Sequence, residues 1–160
     1  MADTRHLKSH FGRKLKKMSK VTAKTGYETG LTICGDKNDG TEHTKQPIIG
    51  EKGEVSGTSC TLGTGERVRI HTHNKHAPSK QDLKVLSQEE NDHCLIINGV
   101  EAAQGEINED DDTAMMLCME GDGFNPEDAN KLWSDGERVI EENDVKILED
   151  AGIDTDIENL

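Results

Sequence analysis

Glu66-Arg67-Val68-Arg69-Ile70-His71-Thr72-His73 is the stretch on which the reading of the fold turns. Val68 and Ile70 alternate with Arg67 and Arg69, the period of two that marks a half-buried strand. The alternation runs on into His71 and His73. Residues two apart in an extended chain share a side, so both imidazoles can converge on one point. The chain continues Asn74-Lys75-His76-Ala77-Pro78-Ser79-Lys80-Gln81-Asp82. Ser79 is a good helix N-cap, with Asp82 three residues later at the capping-box position and Leu83 and Leu86 as the helix's inward face. The strand end supplies the two histidines, and the helix start supplies Asp82 if the intervening loop folds back. Histidine nitrogen and carboxylate oxygen are zinc ligands, and a set of three leaves a fourth position for water. That open position separates a catalytic site from a structural one, and it points to metal-assisted hydrolysis.

Outward from this segment the patterns are those of a mixed α/β chain of the α+β type. Upstream, residues 6–24 read as a basic helix ended by Gly26, and residues 28–34 as a strand whose Leu31 and Ile33 face one side. Gly35-Asp36 and Asn38-Asp39-Gly40 mark the turn after it. Within residues 41–65, Pro47-Ile48-Ile49 and Ser59-Cys60-Thr61-Leu62 are the strand-like pieces. Downstream, His93 to Ile97 reads as a strand, Asn98-Gly99 as a tight turn, and Val100 to Ile107 as the returning run. A short apolar piece, Ala114 to Met119, follows the acidic Glu109–Asp112. Asn125-Pro126 then opens a helix with Ala129, Leu132, Trp133 and Ile140 on one stripe. A last helix runs from Asp144 to Ala151, closed by Gly152, and the final residues, 153–160, are expected to fray. The organisation expected is a basic N-terminal helical segment (1–24), a core (25–120) and an acidic helical C-terminal appendage (121–160).

The chain has 160 residues, a net charge of −13, 31% apolar and 2% aromatic residues, which predicts a modest core. The charge is uneven. Residues 1–24 carry Arg5, Lys8, Arg13, Lys14, Lys16, Lys17, Lys20 and Lys24 against Asp3 alone, whereas from Glu101 onward Lys131, Arg138 and Lys146 are the only basic residues. The plainer reading of the basic start is a solvated helix docked on the chain's own acidic end; the other is a contact with nucleic acid or an acidic protein. The acidic end opposes nucleic acid as the main partner, because like charges repel phosphates. Cys34, Cys60, Cys94 and Cys118 stand in no Cys-x-x-Cys pair. Their apolar neighbours suggest buried free thiols in a reducing compartment. With no apolar leader and no membrane-length apolar run, the expectation is a cytoplasmic protein with no membrane contact.

The segment His71-x-His73, a spacer, then Ser79-x-x-Asp82 resembles the motif of the JAMM (MPN-type) zinc metalloproteases. That family also has an upstream glutamate just before a glycine-containing strand, matched here by Glu28-Thr29-Gly30-Leu31-Thr32-Ile33-Cys34-Gly35. The resemblance spans roughly residues 20–107, in the family's order. It implies an MPN/cytidine-deaminase-like mixed sheet flanked by helices, here with acidic C-terminal helices. It implies one Zn2+ held by His71, His73 and Asp82, with Glu28 as the general acid/base for a metal-activated water and Ser79 stabilising the oxyanion. The implied activity is hydrolysis of amide bonds in a protein or peptide substrate, including isopeptide bonds to ubiquitin-like proteins. The chain departs from the pattern in its spacer: Asn74 to Pro78 is shorter than usual, and Asn74 stands where proline is common. His76, inside that loop, reads as an exposed histidine without a role or as a substitute ligand. Glu54 and Glu66 are rival bases, and Asp36 and His43 read as loop residues. Two other functions remain open: a non-catalytic MPN-like interaction scaffold, and a relative of the DNA-associated RadC-type proteins. A histidine-x-histidine barrel hydrolase needs about 200 residues or more and does not fit the length that follows Asp82.

Overall fold

The alternating run forms strand β4 (Glu66–Asn74), and the rest of the fold is arranged about it. The computed structural model describes residues 3–36, 38–44, 47–50, 60, 65–88, 91–120 and 139–160. Among these are three helices, α1 (Thr4–Thr25), α2 (Lys80–Gln88) and α3 (Glu142–Asp150). The other strands are β1 (Thr29–Cys34), β2 (His43–Thr44), β3 (Ile48–Ile49), β5 (Asp92–Ala103), β6 (Glu106–Glu120) and β7 (Asp154–Asn159). They form one open mixed sheet in the order β2-β1-β4-β5-β6-β7, with β3 also pairing β1. The mixed α and β class read from the sequence is therefore present. β4 and β5 are parallel and every other pair is antiparallel. A parallel pair needs a crossover, and α2 is the helix in that connection.

Each face of the sheet has its own apolar layer. Leu7, Leu15 and Met18 of α1 pack with Leu31, Ile33, Val68, Ile70, Ile96 and Met116. Leu83 and Leu86 of α2 and Leu148 of α3 pack on the other face with Leu95, Ile97, Met115 and Leu117. Fully burying such a side chain is worth about 1.5–3 kcal/mol, so both layers matter. The alternation of β4 assigns Val68, Ile70 and Thr72 to the α1 face, which leaves His71 and His73 on the α2 face.

The basic segment docks on the acidic end of the chain. Asp3 caps α1 by accepting from the backbone N–H groups of Arg5 and His6. Thr4 donates to Asp156 of β7 from its backbone N–H (3.0 Å) and its hydroxyl (2.8 Å). Arg5 and Lys8 lie 3.8 and 3.6 Å from Glu158. Elements from residues 4–25 and 154–159 thus share one sheet-and-helix assembly with the middle of the chain.

Three expectations are corrected. Asn98-Gly99 is not a turn: β5 runs straight through it to Ala103, with a register shift between Asn98 and Val100. Gly99 has φ 78° and makes a bulge, while the reversal falls at Gln104-Gly105, both with positive φ, as a two-residue hairpin requires. Residues 153–160 do not fray. They form β7, fixed because the Asn159 side chain bonds Ala102 N–H (2.8 Å) and C=O (2.7 Å) and Leu160 N–H donates to Ala114 C=O (2.9 Å). The cysteines are not free: Cys34 bonds Cys60 and Cys94 bonds Cys118 across adjacent strands, so the reducing compartment loses the support drawn from free thiols. The helix expected after Asn125-Pro126, with Ala129, Leu132 and Trp133, lies outside the described residues. No described helix is long and apolar enough to cross a membrane.

Candidate metal centre

The register of the sheet brings the chemistry together. β1 and β4 pair with Gly30 opposite His71 and Leu31 opposite Ile70, and two further steps bring Glu28 level with His73. The β4-to-β5 crossover places the start of α2 over the same end of β4. Ser79 and Asp82 complete a capping box there: Ser79 N–H donates to Asp82 Oδ2 (2.8 Å), and Asp82 N–H donates to Ser79 Oγ (3.1 Å). The cap fixes the Asp82 carboxylate where the two imidazoles point.

Asp82 Oδ1 is 3.1 Å from His71 Nε2, and Asp82 Oδ2 is 3.5 Å from His73 Nε2. Glu28 Oε1 is 3.1 Å from His73 Nε2. Glu28, His71 and His73 each offer a ligand atom within 4.8 Å of the others, and this group does not include Asp82, the third ligand expected from the sequence. Ligands about 2.0–2.1 Å from a tetrahedral zinc stand about 3.3 Å apart, so the observed separations match the edges of such a site. The sequence reading assigned Asp82 as third ligand and Glu28 as base; the geometry places both carboxylates beside the imidazoles. His73 Nδ1 lies 3.2 Å from the His76 carbonyl. A backbone acceptor on the far nitrogen orients Nε2 inward, as metal-binding histidines commonly require. His76 thus contributes its carbonyl, and its own ring is not part of the group.

The imidazoles and carboxylates shift one another's titration. Burial disfavours the charged form of His73, but its hydrogen bond to Glu28 and the charges of Asp82 and Glu28 outweigh this and raise its pKa. Burial also opposes the Asp82 carboxylate, yet His71 and His73 beside it and the Ser79 N–H hold its carboxyl well below the usual carboxylate range. The two carboxylates that favour a proton on His73 would also favour a divalent ion in competition with it. The side chains of His71, Asp82 and Glu28 are 17%, 16% and 16% exposed, which leaves the centre a path to water.

Of the rival bases, Glu54 lies outside the described residues, and Glu66 begins β4 at the end away from His73. The departure at Asn74 has a structural counterpart. Its side chain donates to Thr22 C=O (3.0 Å) and accepts from Asn98 Nδ2 (2.9 Å), and Lys75 N–H donates to Asn98 C=O (2.8 Å). These bonds anchor the short loop between His73 and Ser79. Thr22, Thr29, Thr72 and Asn98 were given no role beside the site from sequence, Asn98 being read only as part of a turn; a threonine at 72 on the face shared with Val68 and Ile70 was the available signal.

No protein-family model, curated protein or solved structure matches the chain.

Proposed function

We propose that this chain is a zinc-dependent metallopeptidase or isopeptidase of the kind its motif resembles. The observation that carries the reading is the placement of two imidazoles against two carboxylates, His71 and His73 with Asp82 and His73 with Glu28, at Nε2-to-oxygen distances of 3.1–3.5 Å. The finer fold reading, MPN or cytidine-deaminase-like, belongs to the same proposal and draws support from helices on both faces of a mixed sheet. His71, His73 and Asp82 hold the ion, and Glu28 stands beside it. Bound zinc supplies a Lewis acid that polarises an amide carbonyl and acidifies a water. Glu28 accepts the water's proton and passes it to the leaving amine. Ser79 Oγ accepts from Asp82 N–H, which leaves its own proton to donate to the developing oxyanion. The substrate class is a protein or peptide amide, with conjugates of ubiquitin-like proteins included.

The test is zinc quantification with a peptide and ubiquitin-like-conjugate cleavage assay, with and without chelator. Glu28→Gln is expected to keep about one zinc per chain and lose at least about 100-fold in turnover; Asp82→Asn is expected to lose the zinc. Full turnover in Glu28→Gln refutes the assignment. The capping box favours one second reading, a non-catalytic scaffold, because it gives Ser79 and Asp82 a purely structural task. Purified protein that takes up no zinc supports that alternative.

A further inference from the structure

Behind the metal centre, on the α1 face of the sheet, lie three buried hydroxyls. Thr22, Thr29 and Thr72 are 1%, 2% and 0% exposed beside an apolar cluster of Ile, Val, Leu, Met, Cys and Ala. Valine would fill the same volume without needing partners, so packing alone does not call for threonine at these places. We infer that the trio is a clamp that positions Glu28 and His73 for the ion, with Thr72 as its central positioning residue. This inference rests on the zinc reading above.

The geometry is specific. The backbone register of β1 with β4 ends at the pair Gly30 and His71. One residue further on, Thr29 N–H donates to the Thr72 hydroxyl at 2.8 Å. A side chain therefore joins the two strands just where one delivers Glu28 and the other His73. The Thr29 hydroxyl donates to Met18 C=O (3.0 Å) and lies 3.1 Å from Thr72 Oγ1. Thr22 Oγ1 is 2.8 Å from Thr29 Oγ1 and in close contact with Thr72 Oγ1. The last turns of α1, the start of β1 and the end of β4 are thus tied at one point. Thr72 has a histidine of the centre on each side in sequence, yet it faces away from both, so its hydroxyl acts on them through the backbone. Removing it loosens the end of β4 that carries His71 and His73, and with it their register against Glu28, without altering any donor atom.

Cobalt(II) titration of the full chain, followed by visible absorption, tests this. Cobalt takes the same donors as zinc and reports their geometry in its absorption bands. Thr72→Val is expected to bind cobalt about 10-fold more weakly, or worse, in line with the usual effect of groups behind metal ligands, and with altered bands. Thr72→Ser, which restores the hydroxyl, returns both to wild type. Gly105→Ala, destabilised at the distant hairpin turn, keeps wild-type affinity and bands. Thr72→Val that binds as tightly as wild type with the same spectrum overturns the clamp, as does failure of Thr72→Ser to rescue. Should Thr72→Val not fold, Thr22→Val decides: it leaves the Thr29 to Thr72 bond intact and is expected to show a smaller loss, and unchanged affinity overturns the inference. Wild-type protein that takes up no cobalt brings down the zinc reading and the clamp together, whereas tight binding unaffected by the threonine variants removes the clamp alone.

Discussion

The cap observed at Ser79 and the oxyanion role proposed for it can be separated by one substitution. As an N-cap it accepts from Asp82 N–H, and replacing a serine cap by glycine costs only a few tenths of a kcal/mol, far less than replacement by alanine. In the proposed role of oxyanion donor its hydroxyl would be worth about 100- to 1,000-fold in rate. Ser79→Gly is therefore expected to melt within about 1 °C of wild type and to retain zinc, while turnover falls by about 100-fold or more. Turnover that tracks only the small change in stability would return Ser79 to a cap and nothing else. The site was legible in sequence to the extent that its groups are local. His71 and His73 share a face because strands repeat every two residues, and Ser79 and Asp82 meet because a helix's first turn brings them together. Glu28 is separated from His71 by more than forty residues, and no local period links it to them; it was identified through the family resemblance alone. Thr22, Thr29 and Asn98 carried no such cue, because their roles arise only once α1, β1, β4 and β5 are assembled.

At the scale of elements, two glycines predict opposite outcomes for the same change. Gly12 lies inside α1, and a Cβ added there meets nothing within 4 Å. Gly12→Ala is expected to stabilise the protein by about 0.8–1 kcal/mol through helix propensity. Gly99 sits at φ 78°, and a Cβ there comes within 2.6 Å of the Lys75 side chain. Gly99→Ala is expected to destabilise by about 1–3 kcal/mol, because the left-handed backbone must be strained or surrendered. Shifts of the urea midpoint in the two variants measure both; a shift in the same direction for both contradicts the bulge and helix assignments. The same residue explains a misreading. Asn-Gly is a hairpin signal because both residues tolerate positive φ, but a bulge also needs a glycine with positive φ, and local chemistry does not distinguish the two. The turn formed instead at Gln104-Gly105, where the acidic run beyond Ile107 had obscured the continuing strand. β7 was missed for a related reason. Asp154-Thr155-Asp156-Ile157-Glu158-Asn159 alternates, but with few apolar residues at a chain end it carries little hydrophobic signal, and its place is fixed by β6 and by Thr4 of α1.

For the whole molecule, the uneven charge and the metal centre make a joint prediction. Of the eight basic residues of the first 24, Arg5 and Lys8 pair with Glu158 of β7, contacts at the surface that salt screens. The four side chains of the candidate centre differ: they are largely withdrawn from water, with two carboxylates beside two imidazoles. An ion that binds the folded chain and not the unfolded one stabilises it by about 2.7 kcal/mol at a free concentration 100 times its dissociation constant. For a chain of this size each kcal/mol corresponds to about 2–4 °C in Tm, so zinc at that excess is expected to raise Tm by about 5–10 °C, and chelator to reverse the rise. The size of the effect should persist in 0.5 M salt, because ligation to buried donors is screened far less than surface pairs are. Salt is expected instead to weaken the docking of α1 on β7, lowering the Tm of the zinc-loaded and metal-free forms alike. His71→Ala removes a donor and should abolish the zinc-dependent rise while keeping the salt response. Differential scanning calorimetry of the two proteins, with zinc and with chelator at low and high salt, separates the contributions. A wild-type Tm indifferent to zinc under every condition means that the four side chains meet without forming a metal site, and that the hydrolase reading built on them fails.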